Sequence, residues 1–333
     1  VLPVDAVSRE SIRWLEKPAY NRVFVSGQER GVLGQVTRAG AAGDVLAPMV
    51  VDSLITDAVA ARQRAIATIE RFFARAFPQA LVPARPKAAL VVANNVLAHV
   101  PDLNDFVAGL ATVLAPEGAV TIEFPHLLQL VAQHQFDTVY HEHFSYFSFH
   151  TVQRILARHG LRVWDVEELA THGGSLRLWA CHDPAAHRET PAVAGLLAKE
   201  ATAGMLDMDF YRGFQHVADT VKNDFLTFLL DCKRSGKQVV GYGAAAKGNT
   251  LLNYAGVRPD LLGYVVDASP HKQGRYLPGC RIPVVDEASI RETRPDFVVI
   301  LPWNLREEIT TQLAYIREWG GKFVTAVPNL VVS

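Results

Sequence analysis

Strand-like and helix-like segments alternate along almost the whole of this 333-residue chain. The most restrictive of them is KAALVVANNVL, residues 87–97, a nearly continuous apolar run. A strand of that kind is buried on both faces, as in the parallel sheet of an α/β protein. A helical pattern, DFVAGLATVLA, and a further strand pattern, GAVTIEF, follow it. The alternation predicts a doubly wound sheet with helices on both sides.

Two later segments extend this picture. The stretch LRVWDVEELATHGGSLRLWACH predicts two strands joined around His172-Gly173-Gly174, and so an antiparallel edge of the sheet. The pattern is helical from Glu189 to Arg234, and a second α/β unit with four strand patterns follows Gly236. We therefore predict three parts: a first domain over residues 1–184, a helical linker over 185–235 and a small Rossmann-like domain over 236–333. A long helix is also predicted around residues 57–77.

Composition excludes several classes of protein. Hydrophobic residues make up 49% and charged residues 20%, which is typical of a globular chain rather than a disordered, collagenous or coiled-coil one. A net charge of -1, from 33 basic and 34 acidic residues, argues against nucleic acid as a partner. Three widely spaced cysteines provide neither a zinc pattern nor a disulfide framework, which favours a reducing, cytoplasmic location. Apolar runs stay below the ~18 residues that indicate a membrane span.

The first chemical signal lies in the second α/β unit. Gly241-Tyr242-Gly243-Ala244-Ala245-Ala246 follows a strand and opens a helix, and Lys247 adds a charge at the same turn. Asp267 ends the next strand. The spacing of these glycines and of Asp267 is typical of a dinucleotide site, as in an NAD-dependent dehydrogenase. In such a site the helix N-terminus offers amide groups to a phosphate. The alternative is a glycine turn that only packs helix on strand. His271, Lys272 and Arg275 are interpreted either as phosphate-facing or as a solvated basic loop.

The second signal is a dense group of titratable residues in FDTVYHEHF. Tyr140, Glu142 and His143 lie within four residues, His99 follows the apolar strand, and Glu123 ends the strand TIEF. In an open parallel sheet, ligands bind beyond the carboxyl ends of the strands. Several titratable groups at that edge indicate acid–base chemistry. Metal binding through His141 and His143 is the weaker interpretation, because no further ligand is close in sequence.

Five strings carry a resemblance to a known family: ANNVLAHVPDLNDF, FDTVYHEHFSYFS, THGGSLR, GYGAAAKGNTLLNY and PWN. Their order and spacing over residues 90–333 resemble the nucleotide-sugar C-methyltransferases that use S-adenosylmethionine. The resemblance implies a class I methyltransferase domain followed by a Rossmann-like domain for a nucleoside-diphosphate sugar. It implies His143 as the base, with Tyr140, Glu142 and His99 around the sugar. The implied substrate-binding residues are Gly241, Gly243, Lys247, Asp267 and Asn304. The implied donor-binding residues are Gly27, Gly31, Asn94, Asn95 and Glu123.

Two departures from the family pattern matter. The cysteine-rich zinc module with which members usually begin has no counterpart in these residues, so we expect no metal. The chain starts at Val1 without an initiator methionine, which is consistent with a natural start further upstream. In the donor loop, Gly27 and Gly31 remain, but Val25 replaces the usual acid and Arg30 replaces the loop aspartate. Asp52 is the nearest candidate for the acid that holds the donor ribose.

The altered donor loop keeps two other functions open. One is an epimerase or isomerase of a keto sugar, which retains the deprotonation step and lacks methyl transfer. The other is a non-catalytic protein that binds a sugar nucleotide.

Overall fold

The computed structural model describes residues 22–26, 49–52, 67–70, 73 and 87–333. The chain forms two compact units, each with its own sheet. The first unit comprises residues 1–127, 142–170 and 174–205, and the second comprises 128–141, 171–173 and 206–333. Two short segments of the predicted first domain, 128–141 and 171–173, thus group with the carboxy-terminal part, whereas the boundaries predicted above are continuous.

The first unit contains a seven-stranded sheet. Strands β1 to β5 are parallel, and β7 runs antiparallel to both β5 and β6. The order across the sheet is β3-β2-β1-β4-β5-β7-β6. The strands are β1 Arg22–Ser26, β2 Met49–Asp52, β3 Ala67–Glu70, β4 Ala88–Asn94, β5 Leu114–Pro125, β6 Leu161–Leu169 and β7 Ser175–His182. The doubly wound sheet with an antiparallel edge is therefore confirmed, and its strand order reverses between β1 and β4.

Helices pack one face of this sheet. They are α1 Leu103–Val113, α3 Phe149–Ala157 and α4 Pro191–Thr202. Asp102 caps α1 by accepting a bond from the Asp105 amide at 2.9 Å. Ile122 and Phe124 of β5 lie with Phe106 of α1 in one buried apolar cluster. Burial of this cluster fixes the position of the strand ends that carry the polar residues described below.

The second unit contains a six-stranded sheet in the order β10-β9-β8-β11-β12-β13. Its first five strands in that order are parallel, and β13 is antiparallel to β12. The strands are β8 Val239–Tyr242, β9 Val265–Val266, β10 Val284–Val285, β11 Phe297–Ile300, β12 Lys322–Thr325 and β13 Val331–Val332. The parallel Rossmann-like arrangement predicted for the carboxy-terminal part is confirmed.

The remaining helices accompany this second sheet. Helix α2 spans Leu127–Ala132. Its first residue belongs to the first unit and the others belong to the second. The others are α5 Asp209–Arg212, α6 Phe214–Arg234, α7 Ala246–Tyr254, α8 Ala288–Thr293 and α9 Arg306–Gln312. Val221, Phe225 and Leu229 on α6 are buried in the core of this unit, as their spacing predicts. Among the described residues, no helix combines the length and apolarity that a membrane crossing requires.

One element was predicted wrongly. The structure places β3 at Ala67–Glu70, inside the stretch predicted as a helix around residues 57–77. The sequence Ala-Thr-Ile-Glu contains two β-branched residues, which favour a strand when a neighbouring strand offers hydrogen bonds. Strand β2 provides that partner in parallel register.

Candidate functional site

The carboxyl ends of β1, β4 and β5 meet where the strand order reverses. Asn94 lies in register with Ser26 of β1 and with Glu123 of β5. The Asn95 amide donates to the Glu123 carbonyl at 2.8 Å. Asn95 has a φ of 52°, in the left-handed region that asparagine adopts more readily than most residues. The chain thus turns sharply at the place where a doubly wound sheet binds its ligands.

Asn94 offers a hydrogen-bond acceptor at this edge. Its side chain is buried, and its Oδ1 atom has no hydrogen-bond partner among the described residues. Such a buried acceptor costs about 1–3 kcal/mol unless a ligand or water satisfies it. It therefore fits a ligand group that donates a hydrogen bond, such as an amino or hydroxyl group.

Glu123 has a different environment from the one expected of a ligand-binding acid. Arg177 of β7 donates from one guanidinium nitrogen to Glu123 Oε2 at 2.6 Å, and both side chains are buried. The other guanidinium nitrogen of Arg177 lies 3.9 Å from Glu167 Oε2 on β6. The three residues form a row across neighbouring strands. One oxygen of Glu123 is thus already engaged inside the sheet.

The structure brings together two of the predicted catalytic residues. The rings of His99 and His143 are 4.8 Å apart between centroids and meet edge to face at 68°. Backbone bonding holds this arrangement, because the Phe144 amide donates to the Ala98 carbonyl at 2.8 Å. The ring of Tyr146 lies 5.7 Å from that of His143. Two half-buried imidazoles therefore lie side by side just beyond the carboxyl end of β4.

The other predicted residues of this region are placed differently. Glu142 is half-buried and belongs to the first unit, and Tyr140 is half-buried in a segment of the second unit. Gly27 and Gly31 lie outside the described residues, as does Arg30. The donor loop is therefore a prediction from sequence alone.

In the second unit, the glycine turn after β8 is closed by Asp267. Its Oδ2 atom accepts from the Ala244 amide at 2.8 Å, and Lys272 Nζ lies 3.2 Å from the same oxygen. Lys272 also donates to the Ala244 carbonyl at 2.9 Å. Gly243 has a φ of 88°, which other residues rarely adopt. Asp267, which the spacing predicts as a ligand-binding acid, thus also stabilises the turn. Lys272 stabilises the same turn through the Ala244 carbonyl.

Lys247 and Asn304, two predicted substrate-binding residues, are in direct contact. Lys247 Nζ donates to Asn304 Oδ1 at 2.8 Å and lies 4.4 Å from the centre of the Trp303 ring. The Trp303 indole in turn donates to Asp137 Oδ2 at 2.8 Å. These four side chains form what we call the Asp137 cluster. A cleft of about 460 Å³ lined by residues 303–308 adjoins it through Trp303 and Asn304.

Burial dominates the electrostatics of the Asp137 cluster. Asp137 is 0% exposed, and burial raises its pKa to about 6, although Lys247 and the Trp303 bond oppose the rise. Burial also lowers the pKa of Lys247, against the pull of Asp137. Asp137 Oδ1 has no hydrogen-bond partner among the described residues. Neither Asp137 nor Trp303 is predicted as a site residue from the sequence, although Asp137 lies in the string FDTVYHEHF and Trp303 lies in PWN.

Groups of three or more side chains able to hold a metal ion do not occur among the described residues. Cys181, Cys232 and Cys280 are buried free thiols.

Two family models match this chain in separate segments. Residues 37–166 match the family described as a methyltransferase domain, and residues 170–328 match the C-methyltransferase C-terminal domain. The C-methyltransferase NovU of Streptomyces niveus is 35% identical over 269 residues, which are 81% of this chain and 64% of NovU. The chain therefore spans less than two thirds of that relative.

Likenesses to solved structures are weaker. Magnesium protoporphyrin IX methyltransferase of Synechocystis PCC 6803 is 15% identical with a TM-score of 0.41, covering 54% of this chain and 81% of the other. A methyltransferase of Mesorhizobium loti is 14% identical with a TM-score of 0.40, covering 53% and 97%.

The strand order and the matching family define the first unit as a class I methyltransferase fold. Each of the two family models matches less than half of the chain, one over residues 37–166 and the other over residues 170–328. The resemblance drawn from the sequence is confirmed for these two domains.

Proposed function

We propose that this protein is a C-methyltransferase that acts on a keto sugar linked to a nucleoside diphosphate and uses S-adenosylmethionine as donor. The observation that carries the proposal is the pair of rings of His99 and His143, held beside the carboxyl end of β4. The domain composition and the relationship to NovU support methyl transfer to carbon. The sugar substrate rests on the family resemblance of the sequence motifs.

His143 acts as the base in this proposal. A C–H bond next to a carbonyl is acidic enough for a positioned imidazole, whose ordinary pKa of ~6.5 suits proton transfer at neutral pH. Removal of the proton gives an enediolate, whose oxygen gains negative charge. His99 and Tyr140 donate hydrogen bonds to that oxygen, and Glu142 orients a histidine or contacts a sugar hydroxyl.

The methyl donor fits the edge of the sheet that carries Asn94 and Asn95. The buried, unpartnered oxygen of Asn94 provides an acceptor there. When bound, S-adenosylmethionine supplies an electrophilic methyl group. Asn94, Asn95, Glu123 and the loop from Gly27 to Gly31 would hold it.

The second unit binds the nucleotide part in this proposal. The turn at Gly241 and Gly243 leads into the N-terminus of α7, whose amides favour a phosphate. Lys247 adds a positive charge beside it, and Asn304 holds the Lys247 ammonium. Asp267 supports the turn by accepting from the Ala244 amide.

The base assignment is tested by solvent exchange. The His143→Ala variant is expected to lose deuterium exchange into the carbon next to the carbonyl of a keto sugar nucleotide, because the change removes the proposed base. Tyr140→Phe is expected to slow exchange less, since one donor to an oxyanion contributes roughly 2.7–4 kcal/mol at most. Nuclear magnetic resonance of the substrate in deuterated water measures both.

The control is His159→Ala, which removes a half-buried histidine just after α3 that contacts Asn104, and it should leave exchange unchanged. Exchange at the normal rate in the His143 variant would show that the base is another residue. Exchange without methyl transfer in the wild-type chain would instead identify a keto-sugar epimerase or isomerase. A bound sugar nucleotide that never exchanges would indicate a non-catalytic binding protein.

A further inference from the structure

Asp137 is a buried acid, one of whose oxygens makes no hydrogen bond to the described residues. The side chain is 0% exposed, and its Oδ2 atom accepts from the Trp303 indole. Oδ1 has no hydrogen-bond partner among the described residues. Burial raises the pKa of this carboxyl group, and Lys247, the Trp303 bond and the backbone amides of Asp137 and Thr138 oppose the rise without cancelling it. A buried carboxylate oxygen without a donor is costly, so a donor from a ligand is the natural complement.

Trp303 is held in one orientation around this acceptor. Its indole nitrogen is fixed by Asp137, and the Lys247 ammonium covers its ring. The opposite edge of the ring packs on Gly173, where an added Cβ would lie 2.4 Å from a ring carbon. Gly173 is itself held by a 2.7 Å bond from the Gln135 side chain to its carbonyl. This support gives the cluster the rigidity of a binding site rather than of a solvated surface.

The charges around Asp137 select the kind of ligand group. A phosphate oxygen has no proton to donate and is repelled by a carboxylate. A cationic amine donates, but the neighbouring Lys247 ammonium repels it. A neutral hydroxyl donates to the carboxylate and also accepts from an ammonium or amide donor. Aromatic rings add an apolar surface for the C–H face of a sugar or ribose.

We propose that Asp137 Oδ1 accepts a hydrogen bond from a hydroxyl group of the bound sugar nucleotide, with Trp303, Lys247 and Asn304 framing that subsite. This inference rests on the proposed nucleotide-sugar substrate and names the group of that substrate that the second unit recognises. The hydroxyl belongs either to the ribose or to the transferred sugar.

Calorimetry with five probes tests the subsite. The probes are uridine diphosphate, thymidine diphosphate, the glucose-linked form of each and inorganic pyrophosphate. The variant is Asp137→Asn, which keeps an acceptor for the Trp303 indole and removes the charge. Loss of a hydrogen bond to a charged group is expected to weaken binding roughly 10-fold or more. The control Asp231→Asn removes an exposed carboxylate on α6 and should change no affinity.

Each outcome decides the inference. Weaker binding of the glucose-linked probes alone assigns the hydroxyl to the sugar. Equal weakening for all four nucleotides, with pyrophosphate unchanged, assigns it to the ribose. Unchanged binding of all probes, or equal weakening for pyrophosphate, overturns the inference while leaving the proposed function in place. Failure of the wild-type chain to bind any nucleotide probe overturns the proposed substrate class and this subsite with it.

Thermal unfolding separates ligand binding from a structural role. Without ligand, Asp137→Asn should leave Tm unchanged or raise it, because a buried and partly unsatisfied charge is removed. A purely structural acid would give a lower Tm in the variant. A fall of several degrees together with weaker pyrophosphate binding would identify Asp137 as a structural residue.

Discussion

Buried carboxylates in this chain differ in how completely hydrogen bonds satisfy them. Asp137 has a raised pKa because burial outweighs its bonds. Burial alone would also raise the pKa of Glu200 on α4. Hydrogen bonds to its carboxylate together outweigh that effect, so the pKa of Glu200 lies below the ordinary 4.5. The donors are His126 Nε2 at 2.7 Å and the amides of Phe149 and His150 at 2.6 and 3.0 Å. Glu200 therefore joins α4 to the start of α3.

Replacement of Glu200 by Ala is expected to lower the free energy of unfolding by about 3 kcal/mol. The change leaves two amides at the N-terminus of α3 and the buried His126 without their acceptor. Urea unfolding at neutral pH measures the loss. The exposed Glu189→Ala serves as a control and should stay within about 0.5 kcal/mol of wild type.

The pH dependence of this loss has a definite sign. A carboxyl group whose pKa is lowered by folding stabilises the folded state above its ordinary pKa of 4.5. That contribution disappears as pH falls through the lowered pKa. The difference between wild type and Glu200→Ala should thus shrink in acid, and a difference that grows in acid would contradict the role given to the ionised carboxylate.

Single residues were predicted unequally from sequence. The strand pattern predicts that His99 and His143 lie beyond the carboxyl edge of the sheet, and their rings are indeed close together. Asp137 and Trp303 are 166 positions apart. Their contact depends on tertiary packing, and no local periodicity reports it. Likewise, the bond from Arg177 to Glu123 follows from the pairing of β5 with β7, which sequence alone does not align residue by residue.

At the scale of elements, apolar runs predicted the long buried strands well. Strand β4 fills the predicted run up to Asn94, and both strands of the antiparallel edge occur where expected. Short strands were harder: β3 was predicted as a helix, and β10 and β13 have only two residues each. Two residues are too few to show a period, so hydrogen-bond partners decide their structure.

The turn between β8 and α7 provides a test at this scale. Gly243 has a φ of 88°, and an added Cβ would lie 2.5 Å from Pro302 Cδ. Gly243→Ala should therefore lower the free energy of unfolding by about 2–4 kcal/mol and weaken binding of uridine or thymidine diphosphate, because both backbone strain and a clash distort the turn.

Gly236 is the matched control for this change. Its φ is 67°, but an added Cβ would meet nothing within 4 Å. Gly236→Ala should cost only about 1–2 kcal/mol and leave diphosphate binding unchanged. Denaturant unfolding and calorimetry compare the two variants. Equal losses in both would show that the contact with Pro302 does not shape the turn.

For the whole molecule, two family models match consecutive segments of one chain, and each segment carries residues of one of the proposed ligand sites. The matched segments, residues 37–166 and 170–328, leave only a few residues between them. The order of domains was predicted from the motifs. The grouping of residues 128–141 with the second unit was not, because a contact between distant segments has no signature in composition or charge.

Donor binding decides whether the whole chain transfers a methyl group. The sequence places Arg30 where the family's donor loop has an aspartate, with Glu29 as the neighbouring carboxylate. S-adenosylmethionine carries a sulfonium and an amino group that Arg30 would repel, although the donor's carboxylate would be attracted. We therefore expect binding that is weaker than in a relative with the intact loop but still measurable. Arg30→Asp should strengthen binding, because it restores an acceptor and a favourable charge.

Calorimetry with S-adenosylmethionine and its demethylated product measures this effect. Arg158→Asp, an exposed change at the end of α3 with the same change in net charge, is the control for a general electrostatic effect. Stronger binding in both variants would mean that net charge, rather than the loop position, controls affinity. If neither ligand binds the wild-type chain at concentrations that detect weak complexes, the proposal that the protein transfers a methyl group is wrong. Deprotonation by His143 then makes the epimerase the better explanation.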